Sequence, residues 1–127
     1  VVADAKAAFL WWYDGERSGF EPLGPGLHVV TESDREGRGP RADLVRSRWP
    51  TDLAPERLQL MLGSHAGPNG TPPGICIHMD PAYGTRSSAV LRLTGDVTTS
   101  ELFVSDARPC LAPMEDRSEL LQALAPI

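Results

Sequence analysis

No run of eighteen apolar residues occurs in the chain, which excludes a membrane-spanning helix from the sequence. Cysteine is scarce: Cys76 and Cys110 are the two present. Two are too few for a disulfide framework, and a reduced, cytoplasmic setting is expected. Basic residues are in the minority, with Lys+Arg 12 against Asp+Glu 17 and a net charge of -5. Such a field repels phosphates, so nucleic acid and anionic membrane surfaces are not expected partners. The opening "VVADAKAAFLWWYDG" lacks the basic region and small-residue cleavage site of a signal peptide, and it starts with Val1. A truncated or processed chain is the expectation. The glycine-rich stretches "GPG" and "GPNGTPPG" match neither a P-loop nor a dinucleotide-binding turn. No Cys or His pair has zinc-finger or helical His-x-x-x-His spacing, so no metal site is expected. Internal repeats and low-complexity tracts are absent as well.

What remains is a chain of 127 residues, 41% hydrophobic and 23% charged, which reads as one soluble globular domain with a modest core. Gly and Pro at 12 each assign much of the length to loops. "AAFLWWY" at 7–13, closed by "DGERSG", predicts a strand entering a hairpin that "FEPLGPG" briefly returns. "LHVVTES" at 27–33 is β-branched and predicts a second core strand. A helix is predicted from Pro40 to Trp49, with Leu44, Val45 and Trp49 near one face. Pro55 opens a second helix, whose apolar side is Leu58, Leu60, Met61 and Leu62 and which Gly63 stops. A breaker-rich loop at 66–74 precedes three strands, "ICIHM", "SSAVLRL" and "TSELFVS". Ser118 followed by Leu120, Leu121 and Leu124 predicts a short closing helix. The order predicts α+β, with two to three helices layered on largely antiparallel sheets.

Three stretches invite chemistry. In "YGTRSSAVLRL", Gly84 permits a turn or close backbone approach, and strand alternation puts Arg86 and Ser88 on one face. Arg86 could orient a substrate carboxylate or lower the pKa of a nearby nucleophile. It could equally form a structural ion pair with one of the 17 acids. In "CIHMD", Cys76, His78 and Asp80 alternate. A strand would aim all three one way but hold neighbours about 6.5–7 Å apart, too far for a Cys–His–Asp relay. A buried structural cysteine beside a surface histidine is the expectation. "WWY" at 11–13 could stack on a flat ligand or simply pack a sheet face.

"YGTRSSAVLRL" and "SDARPCLAPMEDRSELL", with "AFLWWYDG…FEPLGPGLHVVTESD" and "PRADLVRSRWP" before them, resemble the NRDE family, the relatives of transport and Golgi organisation protein 2. The resemblance spans most of the chain and is most specific at "GTRSS". It implies an α-β-β-α sandwich like that of N-terminal-nucleophile hydrolases, and a nucleophilic amino-terminal cysteine. Neither that cysteine nor an Asn-Arg-Asp-Glu string is present. Residues 1–127 then correspond to the carboxy-terminal half of such a domain, inactive alone and partnered by the missing amino-terminal half. Arg86 matches the family motif and becomes the catalytic candidate; Thr85, Ser87, Ser88 and His28 become the substrate-binding candidates. The implied activity is hydrolysis of small-molecule amide or acyl substrates, without a cofactor. The alternative is a non-enzymatic haem or lipid carrier, in which "WWY", Cys76 and His78 would matter more than Arg86.

Overall fold

The computed structural model describes residues 1–4, 6–31, 34–67, 73–79 and 83–123. Among these, the chain folds as α+β from three α-helices and eight short strands, all pairing antiparallel. The first sheet has the order β1 (Val2–Ala3), β2 (Ala8–Tyr13), β3 (Ser18–Leu23). Its hairpin closes because the Asp14 carboxylate accepts from the backbone N–H groups of Glu16 and Arg17, and Gly15 adopts a φ of 104° that favours glycine. The register sets Val2 beside Phe9 and Trp11 beside Phe20, so Val2, Phe9, Trp11, Tyr13 and Phe20 share one face. Phe9 and Phe20 stack there at 4.7 Å between ring centres. Trp11, Tyr13 and Phe20 are nonetheless exposed. Trp12 lies on the other face with buried Leu10; its Nε1 donates to Glu21 at 2.7 Å, and the Arg35 guanidinium sits 4.3 Å above its ring.

The strand expected over 27–33 is corrected over its described part. Residues 27–31 form no ladder, and residues 32 and 33 lie outside the described residues. The Thr31 N–H instead bonds the Asp34 carbonyl in a local turn. β-Branched composition favours a strand only where an edge exists to pair with. Both central helices form where the proline punctuation puts them: α1 is Pro40–Arg48, α2 is Pro55–Leu62, and α2 is capped by the Gly63 N–H donating to the Gln59 carbonyl and the Ser64 N–H to the Met61 carbonyl. Ala42 and Leu44 are buried on α1 and Met61 on α2, while Leu60 is exposed. Leu60 leaves the apolar side because Leu58, Met61 and Leu62 fall at i, i+3 and i+4 and position i+2 does not.

A two-stranded sheet joins β4 (His78–Met79) to β5 (Tyr83–Gly84), and a three-stranded sheet has the order β6 (Ser88–Arg92), β7 (Glu101–Ser105), β8 (Glu115–Asp116). The strand expected over 75–79 is confined to His78 and Met79, because the Ile75 and Cys76 N–H groups both bond the Ser64 carbonyl and bend the chain there. Helix α3 covers only Glu119–Gln122. The Ser118 hydroxyl is committed to Asp116 and to the Leu102 N–H instead of capping the helix, and Leu124 lies outside the described residues. Buried apolar residues among those described are few: Leu10, Ala42, Leu44, Met61 and Cys76. No described helix is long and apolar enough to cross a membrane. With so thin a core, Met61→Ala is expected to cost about 2–3 kcal/mol, read as a lower midpoint in chemical denaturation. A loss below about 0.5 kcal/mol would mean that α2 contributes little to the core.

Candidate metal centre

The chain contains two cysteines and three histidines, and four of these five residues meet. One ligand atom from each of His65, Cys76, His78 and Cys110 lies within 4.8 Å of every other. Three stretches deliver them. His65 follows the glycine stop of α2, Cys76 precedes β4 and His78 opens it, and Cys110 sits on the turn after β7.

Local chemistry fixes each stretch. The Ser64 carbonyl takes two backbone bonds of 3.0 Å, from Ile75 and Cys76, which ties His65 to Cys76. Gly74 makes this approach possible: a Cβ there would sit 2.4 Å from the Ala66 nitrogen and 2.7 Å from the His65 carbonyl carbon. Arg41 anchors the same place, its Nε donating to the Gly74 carbonyl at 3.1 Å. Thr85 clamps the next residue in line, accepting from the Ile77 N–H with its hydroxyl and donating its own N–H to the Ile77 carbonyl. Gly84 is required beside it, since a Cβ would meet the Ile77 carbonyl oxygen at 2.4 Å. On the third stretch, the Gln59 side chain of α2 donates to the Ala112 carbonyl at 2.9 Å and accepts from the Met114 N–H at 3.0 Å. Buried Ser105 adds a bond to the Ala107 carbonyl. Together these hold the turn that carries Cys110.

Within the cluster, the two sulfurs are 3.5 Å apart. His78 Nε2 lies 3.3 Å from Cys76 Sγ and 3.1 Å from Cys110 Sγ, and the His65 and His78 rings meet edge to face at 4.7 Å. A tetrahedral zinc ion needs its ligand atoms about 3.3–3.8 Å apart, given bonds of about 2.3 Å to sulfur and about 2.0 Å to nitrogen. The Cys76, His78 and Cys110 atoms, 3.1 to 3.5 Å apart, are close to that spacing, and the His65 ligand atom lies within 4.8 Å of each of them. Cys76 is 3% exposed, and burial pushes its thiol pKa up, followed by the neighbouring Cys110 thiol. The Cys110 backbone and the Thr85 hydroxyl pull the other way. Clefts of about 470 and 580 Å³ open on two sides and share His65; the first reaches Cys76 and His78, the second Cys110.

Arg108 adds a constraint. Its Nη1 donates to His78 Nδ1 at 3.0 Å. A guanidinium only donates, so Nδ1 holds a lone pair and the ring proton sits on Nε2, facing the sulfurs. Ligation through Nε2 reverses that tautomer, and Arg108 must then turn away. Arg108→Gln replaces the competing donor by a carbonyl able to accept from Nδ1–H, and is expected to tighten zinc binding about tenfold. Chelator competition reads this directly; an unchanged or weaker affinity would contradict the tautomer argument.

The residues singled out in the sequence are distributed differently. Thr85 reaches the cluster, through Ile77 and through its hydroxyl, which offsets a small part of the burial-driven rise in the Cys76 pKa. Arg86 is exposed and has no hydrogen bond or ion pair among the described residues; Ser87 is exposed beside it. The Ser88 hydroxyl is buried without a hydrogen-bond partner among the described residues. His28 is distant in the chain, exposed, and 2.7 Å from the Gly24 carbonyl through Nε2. The expected separation of Cys76 and His78 is corrected to direct contact, because residues 75–77 bend where an extended strand would hold the side chains apart. Asp80 lies outside the described residues. The buried cysteine beside an exposed histidine is as expected. His65, Cys110, Arg108 and Gln59 were not among the expected site residues. No family model matches the chain, and no curated protein or solved structure matches it either.

Proposed function

We propose that the protein is a metal-binding domain whose His65, Cys76, His78 and Cys110 hold one zinc ion as a structural cross-link. The observation that carries this reading is the convergence of four soft and borderline ligand atoms within 4.8 Å from three chain stretches. Two thiolates and two imidazoles select zinc over the oxygen-seeking cations. Four protein ligands leave no open position, which is the pattern of a structural site. The thin core gives such a cross-link something to do, because binding free energy is folding free energy where ligands come from separate stretches. The test uses the reduced, metal-free chain. One zinc per chain is expected in native mass spectrometry, and free zinc at a hundredfold excess over Kd adds about 2.7 kcal/mol of stability. Absence of stoichiometric binding, with melting unchanged by zinc, would overturn the reading.

A second reading is favoured by the exposed aromatic face of Trp11, Tyr13 and Phe20. In it, the chain is the carboxy-terminal part of an NRDE-family, N-terminal-nucleophile-hydrolase-like sandwich, and that face packs against the amino-terminal half. Arg86 would serve the absent cysteine's pocket, on amide or acyl substrates. Co-expression with a segment carrying Cys and Asn-Arg-Asp-Glu is expected to yield a stable complex that hydrolyses small N-acyl amides and loses activity in Arg86→Ala. Activity indifferent to Arg86 would remove that residue from the site. The haem-carrier alternative requires an absorption band on haem titration that Cys76→Ser alters.

A further inference from the structure

We infer that Cys76 and Cys110 form a redox switch on this site: a peroxide closes them into a disulfide, and closure releases the metal. The inference rests on the zinc-centre reading and adds its regulation. Three observations carry it. The sulfurs are 3.5 Å apart, so moving them to bonding distance takes side-chain rotation rather than backbone rearrangement. They are 34 residues apart in sequence, one before β4 and the other after β7, so the disulfide ties two of the three stretches that the metal would join. Access is asymmetric: Cys76 is 3% exposed, whereas Cys110 is half-buried and lines the second cleft with Glu56, Gln59 and His65.

That asymmetry assigns the order of events. The Cys110 thiolate attacks one peroxide oxygen; the S–O bond forms, the O–O bond breaks, and hydroxide leaves and takes a proton to become water. The Cys76 thiolate then attacks the Cys110 sulfenic sulfur; the S–S bond forms, the S–O bond breaks, and the second hydroxide is protonated to water. His78 Nε2, within 3.3 Å of both sulfurs, is placed to stabilise each thiolate in turn when it carries its proton. From the zinc form, two thiolates, one peroxide and two protons give one disulfide, one free zinc ion and two waters. Both electrons come from sulfur and the zinc remains divalent. Only His65 and His78 are then left as ligands, too few to retain the ion.

The test uses the full chain, loaded with one zinc, treated with one equivalent of hydrogen peroxide and followed with a chromophoric zinc chelator. One zinc released per Cys76–Cys110 disulfide is expected, with the link located by peptide mapping and reversed by dithiothreitol with recovery of zinc binding. In Cys76→Ser, Cys110 is expected to accumulate as a sulfenic acid trapped by dimedone. Zinc that stays bound while peroxide leaves both thiols reduced would overturn the inference and leave the zinc reading intact. Oxidation that gives only intermolecular disulfides, or sulfenic acid on Cys76 rather than Cys110 in the single variants, would also overturn it. A reduced chain that takes up no zinc before peroxide is added identifies failure of the underlying reading instead, and the switch falls with it.

Discussion

Cys110→Ser is expected to weaken zinc binding on the order of 100-fold or more while leaving the metal-free fold nearly as stable as before. The hydroxyl is close in size to the thiol, and Cys110 is half-buried on a turn held mainly by Gln59 and Ser105, so packing changes little. What is lost is one of two thiolates, the strongest ligands in the set. The comparison that gives the number meaning is His28→Ala. His28 is exposed, bonds the Gly24 carbonyl, and lies outside the cluster, so its removal is expected to leave zinc affinity within twofold. Competition against a chelator of known affinity separates the two. Equal affinities for Cys110→Ser and the unaltered chain would mean that zinc binds elsewhere.

Gly74→Ala carries the second large effect, through geometry rather than chemistry. The added Cβ would lie 2.4 Å from a backbone nitrogen and 2.7 Å from a backbone carbon of the 65–66 stretch. No side-chain rotation relieves a contact with backbone, so His65 must move away from Cys76. A cost of about 2–3 kcal/mol is expected, with a fall in melting temperature of roughly 5–10 °C. Zinc affinity should fall with it, because the ligand on the displaced stretch is His65. Gly24→Ala is the matched control, since a Cβ there meets nothing within 4 Å. If Gly74→Ala melts like Gly24→Ala, the close approach of the two stretches is not a property of the protein in solution.

Local signals made much of the secondary structure legible. Pro40, Pro55 and Gly63 punctuate the two central helices, and the aromatic run with its Asp-Gly turn forms the first hairpin. Pairing was less legible. The β-branched residues at 29–31 carry a strand signal but find no ladder among the described residues. The cluster was hidden for a related reason. Its ligands are separated by 10, 1 and 31 residues in the chain; the Ser64 carbonyl and Gly74 join His65 to Cys76, and the bend at 75–77 joins Cys76 to His78. Regular motif spacing detects ligands on one hairpin or helix, not ligands gathered by three loops. The sequence places His65 and His78 on either side of Cys76, but Cys110 has no histidine near it in the chain. The Cys76–His78 contact is not legible in the alternation of "CIHMD", because residues 75–77 bend and the strand begins only at His78.

The zinc K-edge X-ray absorption spectrum of the reduced chain carrying one equivalent of zinc reads the coordination directly. The expected result is four ligands, two sulfurs at about 2.3 Å and two nitrogens at about 2.0 Å with imidazole scattering, and loss of one sulfur in Cys110→Ser. A shell made of oxygen and nitrogen alone, or a sulfur count unaffected by Cys110→Ser, would contradict the account.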